Sequence, residues 1–282
     1  MHLILLVSIT MTAFAANSLL TRYAIDNSLA DPNSFAILRV GAGAAVLAAL
    51  LIIKGSRVHW LDSRRFVGAV SLAAYMIGFS LAYLTLDAGL GALILFGAVQ
   101  VTMFGYATIT GAAPSRFQWI GAVIAFAGLL IALWPGAGTH SDFAGASAMV
   151  CAGIGWAVYT ISGRTAEDPL AATAVGFTLC LPLLAIVLSP FVEHVTALGV
   201  LVAVVCGGVT SGLGYALWYS VLPSLVPAVA AVVQLSVPVI AIVAGALLLG
   251  EAITSAVVAA AVLVLSGIAL ATRKESAPKD RS

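Results

Sequence analysis

The sequence predicts an all-α integral membrane protein with about ten transmembrane helices in two inverted five-helix repeats, and three observations carry that prediction. Of 282 residues, 62% are hydrophobic and 8% are Asp, Glu, Lys or Arg, whereas a soluble domain carries roughly a quarter charged residues. Those few charges collect between apolar runs long enough to cross a bilayer, which takes about 20 residues at about 1.5 Å rise each. The residue pattern of the first half then returns in the second. About ten spans use up nearly the whole chain, so no soluble catalytic domain fits in the remainder. Lipid-spanning strands alternate in polarity over about ten residues, and these runs are longer and uniformly apolar.

Runs bounded by Gly, Pro or charge set the elements in order. The first helix falls near 3–25. Its Ala13-Phe14-Ala15 resembles a signal-cleavage site, but no Lys or Arg precedes the apolar run and the segment has a counterpart later, so it stays as a helix. The second, near 33–53, begins after Pro32 and stops at Lys54; the third, near 66–86, runs from Arg65 to Asp87. The fourth lies near 90–110 and the fifth, after Arg116, near 117–134. The sixth, near 145–163, sits between Asp142 and Arg164, and the seventh, near 170–190, follows Pro169. The eighth spans 198–221, the ninth 226–249 up to Gly250, and the tenth 254–272 up to Arg273.

With the N-terminus cytoplasmic, Lys54, Arg57, Arg64, Arg65, Arg116, Arg164, Arg273, Lys274, Lys279 and Arg281 all fall on the cytoplasmic side, leaving Arg22 and Arg39 toward the outside. This is the positive-inside bias, and it predicts a multi-pass protein of a bacterial-type inner membrane with both termini cytoplasmic. Asp26, Asp31, Asp87, Asp142, Glu193 and Glu251 are external on the same count. A net charge of +1 without a basic stripe offers nothing to nucleic acid. Cys151, Cys180 and Cys206 lie inside helices without metal-ligand spacing and read as small packing residues.

Phe79-Ser80-Leu81-Ala82-Tyr83-Leu84-Thr85-Leu86 returns as Tyr215-Ala216-Leu217-Trp218-Tyr219-Ser220-Val221-Leu222, and the stretch from Phe14 to Arg22 resembles that from Trp156 to Arg164. The repeats are placed at 3–135 and 143–272, with a polar cytoplasmic tail at 273–282. An odd number of helices per half inverts the second in the membrane, and two such halves can exchange outward-open and inward-open states around a shared site.

These features resemble the drug/metabolite transporter superfamily, specifically its ten-helix EamA-type members. The resemblance is carried by Pro238, the run Gly245-Ala246-Leu247-Leu248-Leu249-Gly250-Glu251-Ala252-Ile253-Thr254, then Gly267 and Arg273-Lys274; the first half departs from it with Thr102 and Ser115 where Pro238 and Glu251 stand. It implies an exporter or facilitator of a small organic metabolite such as an amino acid, working without a cofactor around a central cavity lined by both repeats. The implied partners are that small molecule and the bilayer, with a homodimer left open.

A polar side chain at membrane depth must find a partner, a cavity or a substrate. Asn17 shares a helix face with Thr10, Phe14 and Thr21; Gln100 one with Leu93, Gly97, Phe104 and Ala107; Gln234 one with Pro238, Ala241 and Gly245. Each amide is a cavity candidate, or packing glue between helices. Trp156, Tyr159 and Tyr215 lie deep enough to wall a cavity or fill space against lipid, while Tyr83, Tyr219 and Trp134 read as headgroup-belt anchors. Arg39 could hold a substrate carboxylate, but pairing with Asp26 or Asp31, or snorkelling, is the preferred reading. Glu251 is expected to favour the dipole of the last helix.

Apart from Glu251 and Asp87 near helix ends, no acid lies inside a span, which favours facilitation or exchange over proton coupling. Pro182 and Pro238 are expected to interrupt the seventh and ninth helices, and Gly207, Gly208, Ser211, Gly212 and Gly214 to give the eighth a closely packed seam, either hinge or static packing. A membrane-embedded enzyme acting on a lipid-linked substrate is the rival class, but His2, His59, His140 and His194 fall at the terminus or in loops and no carboxylate pair exists at depth. A non-transporting sensor or assembly subunit is the third.

Overall fold

The computed structural model describes residues 2–55, 63–111, 115–132, 142–164, 166–225 and 227–271. Trp134, His59, His140, Arg57 and the basic residues from Arg273 onward lie outside them. The chain forms α1 (His2–Asp26), α2 (Pro32–Lys54), α3 (Ser63–Ala82), α4 (Ala88–Ile109), α5 (Arg116–Ala132), α6 (Phe143–Gly163), α7 (Pro169–Leu188), α8 (Ala197–Val205), α9 (Gly214–Val221), α10 (Pro227–Gln234), α11 (Ser236–Leu249) and α12 (Ser255–Ala271). A π-helical segment, Cys206–Leu213, joins α8 to α9 in one rod, and α10 and α11 form another broken at Leu235. Among the described residues twelve helices thus make ten rods, and the fold is an all-α membrane bundle.

Helix ends are closed by the residues that the sequence supplies there. Asp31 caps α2 ahead of Pro32, and Asp168 caps α7 ahead of Pro169; in both, proline takes a position whose N–H needs no partner. Asp142 caps α6 and Thr196 caps α8. Gly55 and Gly250 end α2 and α11 with φ of 65° and 70°, a left-handed conformation that a Cβ would strain. The ninth rod breaks at Leu235 because Pro238 has no N–H to give and its ring crowds the carbonyl of Gln234 four residues back. Pro182, expected to interrupt the seventh helix, lies inside an α7 that runs unbroken.

Large aliphatics face outward, among them Ile52, Ile109, Ile186 and Leu247, as hydrocarbon solvent allows. The interior is aromatic: Trp156, Trp218, Tyr83, Tyr159, Tyr215 and Tyr219 are fully buried. Tyr83 and Tyr219 are therefore not belt anchors. The Tyr83 hydroxyl donates to the Ala88 carbonyl and that of Tyr219 to the Tyr159 carbonyl, so each tip has an internal partner.

Packing runs across the two halves of the chain. α5 lies on α12, α2 on α7, α4 on α10 and α11, α3 on α6 and α7, and α1 on α9, α11 and the π segment. The α2 seam against the eighth rod is the tightest. A Cβ on Gly43 would come 2.9 Å from the Gly207 carbonyl oxygen, and one on Gly212 would come 3.3 Å from the Gly43 Cα.

One end of the bundle is tied by two carboxylates. Asp31 accepts from the N–H groups of Glu193 and His194 at 3.1 and 3.0 Å, joining the α1–α2 turn to the segment before α8. Glu251 accepts from the Ala88 and Gly89 N–H groups at 2.7 and 3.5 Å. It thus stabilises the start of α4, where Asp87 makes no capping bond, and not the start of α12 as expected; Thr254 caps that helix. Arg22 pairs with Asp26 at 3.1 Å and Asp87 at 3.7 Å at the same end. At the opposite end Lys54 meets Asp168 at 3.6 Å.

Burial alone would raise the Asp31 carboxyl, but hydrogen bonds from Ser34, His194 and Glu193 hold it at about 2, below its ordinary 3.8. A depressed pKa contributes stability above the unfolded value that is lost as pH falls through the folded one. Asp31→Asn is expected to cost about 2 kcal/mol at neutral pH. The melting difference from wild type, followed in detergent, should hold above about pH 4 and close toward about pH 2. A difference that is independent of pH would contradict this.

Candidate functional site

At the centre of the bundle α2 delivers Arg39 about two turns from its start, where the side chain is wholly buried. It does not snorkel, and neither expected acid reaches it: Asp26 is bound to Arg22, and Asp31 to backbone N–H groups. Instead Nε donates to Ser211 Oγ at 2.8 Å, and Nη2 donates to the hydroxyls of Tyr75 and Tyr215 at 3.1 and 2.9 Å. The guanidinium also lies 4.9 Å from the Phe79 ring centroid and 5.6 Å from that of Tyr75. Nη1 is buried without a partner, and no carboxylate pairs with Arg39 among the described residues.

Ser211 passes the network on. Accepting from Arg39, its hydroxyl donates to Asn17 Oδ1 at 2.9 Å, an atom that also receives Thr210 Oγ1 at 2.6 Å. The π-helical turn presents Thr210 and Ser211 together, and Asn17 Nδ2 returns a bond to the Thr210 carbonyl at 3.4 Å. Asn17 thus ties α1 to the eighth rod and touches the centre. The Tyr215 hydroxyl donates to that of Tyr75 at 3.0 Å. The pair together accepts two guanidinium N–H bonds and exchanges one O–H, leaving one phenolic hydrogen for a further acceptor.

In front of this network lies a small cavity walled by Phe14, Asn17, Tyr75, Phe79, Trp156 and Tyr215. It leaves ≈ 10 Å³ for the centre of a water molecule, about one water's worth, so the centre is closed in this conformation. The walls are interlocked aromatics: Trp156 and Tyr215 stand 4.6 Å apart, and Phe14 meets Trp156 edge-on at 5.1 Å. Tyr159 stacks on Tyr219 at 5.0 Å and backs Trp156 at 5.5 Å, one layer behind the wall.

The remaining two candidates do not join this centre. Gln234 accepts from Trp156 Nε1 at 2.7 Å and donates to the Ala230 carbonyl at 3.0 Å, so its amide is satisfied and positions a cavity wall. Gln100 lines a separate pocket between α4, α5 and the break at Leu235. Tyr75, Phe79 and Ser211 were missed as partners of Arg39. The signal was spacing: Tyr75 and Phe79 on α3, with Tyr83 one residue past its end, and Ser211, Tyr215 and Tyr219 on the eighth rod, each recur every fourth residue.

An uncharacterized protein of Pseudomonas aeruginosa, PA1977, is 42% identical over 274 residues, covering 95% of this chain and 93% of that protein. An uncharacterized transporter of Archaeoglobus fulgidus is 27% identical over 255 residues, covering 86% of this chain and 90% of its own. A crystal structure 21% identical in sequence shares the fold with a TM-score of 0.71, over 94% of this chain and 97% of that one. Residues 143–273 match the EamA-like transporter family directly. The polar centre buried in an apolar bundle is accordingly that of a multi-pass membrane transporter, and the chain belongs to the EamA-like transporter family, within the drug/metabolite transporter superfamily.

Proposed function

We propose that the chain moves a small organic metabolite bearing a carboxylate, of the amino-acid class, by alternating access, and that Arg39 holds that carboxylate. The observation that carries the reading is a fully buried guanidinium with no carboxylate partner among the described residues and an unpaired Nη1 edge. Burying such a charge alone costs several kcal/mol, and an anionic substrate reaching it offsets that cost only while bound. Asn17 and the Tyr75–Tyr215 pair supply further hydrogen-bonding atoms, Trp156 a wall, and Gln234 the position of that wall.

Two inverted repeats, 3–135 and 143–272, supply the moving halves in this reading. Arg22 donates to the Tyr83 carbonyl and Arg164 to the Leu225 carbonyl, each pair 61 residues apart, which supports an internal equivalence of the first and third rods in each half. The matched aromatic stripes on α3 and the eighth rod support it again. The clasps of Asp31 and Glu251 then close the outer face of a bacterial-type inner membrane, with both termini cytoplasmic. Transport is facilitation or exchange.

The test is flux in proteoliposomes loaded with mixed metabolites, counting which solutes exchange. Solutes with a free carboxylate should compete, while their carboxamide analogues should not. Equal competition by the amides would remove Arg39 from the site, and flux that collapses with the proton gradient at clamped membrane potential would remove facilitation.

A further inference from the structure

A second cavity of ≈ 350 Å³ opens between α4, α5 and the break at Leu235. Its walls include Gly97, Phe104, Phe126 and Leu235, with Phe104 and Trp119 meeting edge-on at 5.8 Å. Val101, Trp119, Val123 and Phe126 at its rim are 58%, 46%, 63% and 47% exposed on the outer flank of the bundle. A Cβ placed on Gly105 would meet no atom within 4 Å, so the space beside α4 is open. Apart from the Trp119 indole N–H, the one side-chain polar group in this lining among the described residues is the amide of Gln100. Gln100 is only 4% exposed, and neither its Oε1 nor its Nε2 has a hydrogen-bond partner.

Unpartnered buried amides are rare because losing water without gaining a bond is unfavourable. This one stands near the middle of α4, at the depth of the hydrocarbon, where water does not reach the mouth of the pocket. What enters must come from the bilayer interior and be mostly apolar. It must also offer a donor and an acceptor together to match the carboxamide, and, since no charged residue among the described residues lines the pocket, be neutral. We propose that this pocket binds a membrane-dissolved amphiphile with one neutral hydroxyl or protonated carboxyl head, seated on Gln100. The site is distinct from the Arg39 centre, but an occupant touches Leu235, next to Gln234 whose amide positions Trp156.

The probe is a diazirine-bearing long-chain alcohol, photolysed in proteoliposomes of the full chain, with adducts mapped by peptide mass spectrometry. Adducts should concentrate on the α4 and α5 lining, and unlabelled dodecanol should displace them where dodecane does not. Gln100→Leu should weaken retention by about fivefold, the size of one neutral hydrogen bond, and Gly105→Leu should fill the pocket and remove labelling. Labelling spread evenly over the lipid-facing helices, or displaced equally by dodecane, overturns the proposal. That competition uses the unaltered chain and so decides even if a variant fails to insert.

Discussion

Arg39→Met is expected to lower substrate flux by more than about tenfold, a loss worth about 1.4 kcal/mol or more, while leaving the protein folded with a melting temperature at or above that of wild type. The second half of this expectation separates function from architecture. Arg39 is buried with three directed bonds to neutral hydroxyls and no opposite charge among the described residues, so its charge is incompletely compensated. Replacing buried charges with apolar groups of similar volume is often neutral or stabilising, by about 1–4 kcal/mol. Methionine keeps the stem and packs against Phe79, and Tyr75 and Tyr215 still bond each other. Arg39→Lys should also lose flux, since a single ammonium cannot reproduce a planar fork that serves Ser211 through Nε and two tyrosines through Nη2. A carboxylate substrate should raise the melting temperature of wild type and leave that of Arg39→Met unmoved, by linkage. Wild-type flux in Arg39→Met would show that the guanidinium does not contact the cargo.

The bundle was legible in the sequence because hydrocarbon solvent imposes a length and a composition that few other structures share. Predicted boundaries such as 33–53 and 145–163 fall within two residues of α2 and α6. Arg39 was legible as an anomaly but not as a partner. Distance along the chain favoured Asp26 and Asp31, and only the fold brings Ser211 and Tyr215 against it, from 172 and 176 residues away. Glu251 was misassigned for the same reason: the nearest helix start in sequence was its own, while the one nearest in space lies 163 residues back at Ala88. Tyr83 and Tyr219 sit near rod ends, which suggested the headgroup belt, but their direction depends on which face of the rod is buried. The π-helical turn had only its glycines as a signal, and these equally suit an ordinary close-packed helix.

Gly207→Ala is expected to be a severely damaging single-methyl change. Its added Cβ would lie 2.0 Å from the Arg39 carbonyl oxygen and 2.7 Å from the carbonyl carbon, so it meets backbone on α2, and no rotamer change relieves it. The rods must separate by about 1 Å or more to restore an ordinary contact near 3.4–4 Å. That movement shifts Ser211, one turn along the same rod, away from the Nε it holds at 2.8 Å. Overpacking of this kind costs about 1–3 kcal/mol or more, and here it also loosens the network from Arg39 to Asn17. Gly208→Ala is the matched control. Its Cβ meets only the Val46 side chain, Cγ2 at 3.0 Å and Cβ at 3.9 Å, where a shift of a few tenths of an ångström restores ordinary contact, so stability and flux should stay near wild type. Thermal melting in detergent and flux in proteoliposomes read both variants. Equal behaviour of the two alanines would mean that α2 and the eighth rod stand farther apart than this packing places them, and that the seam does not set the position of Ser211.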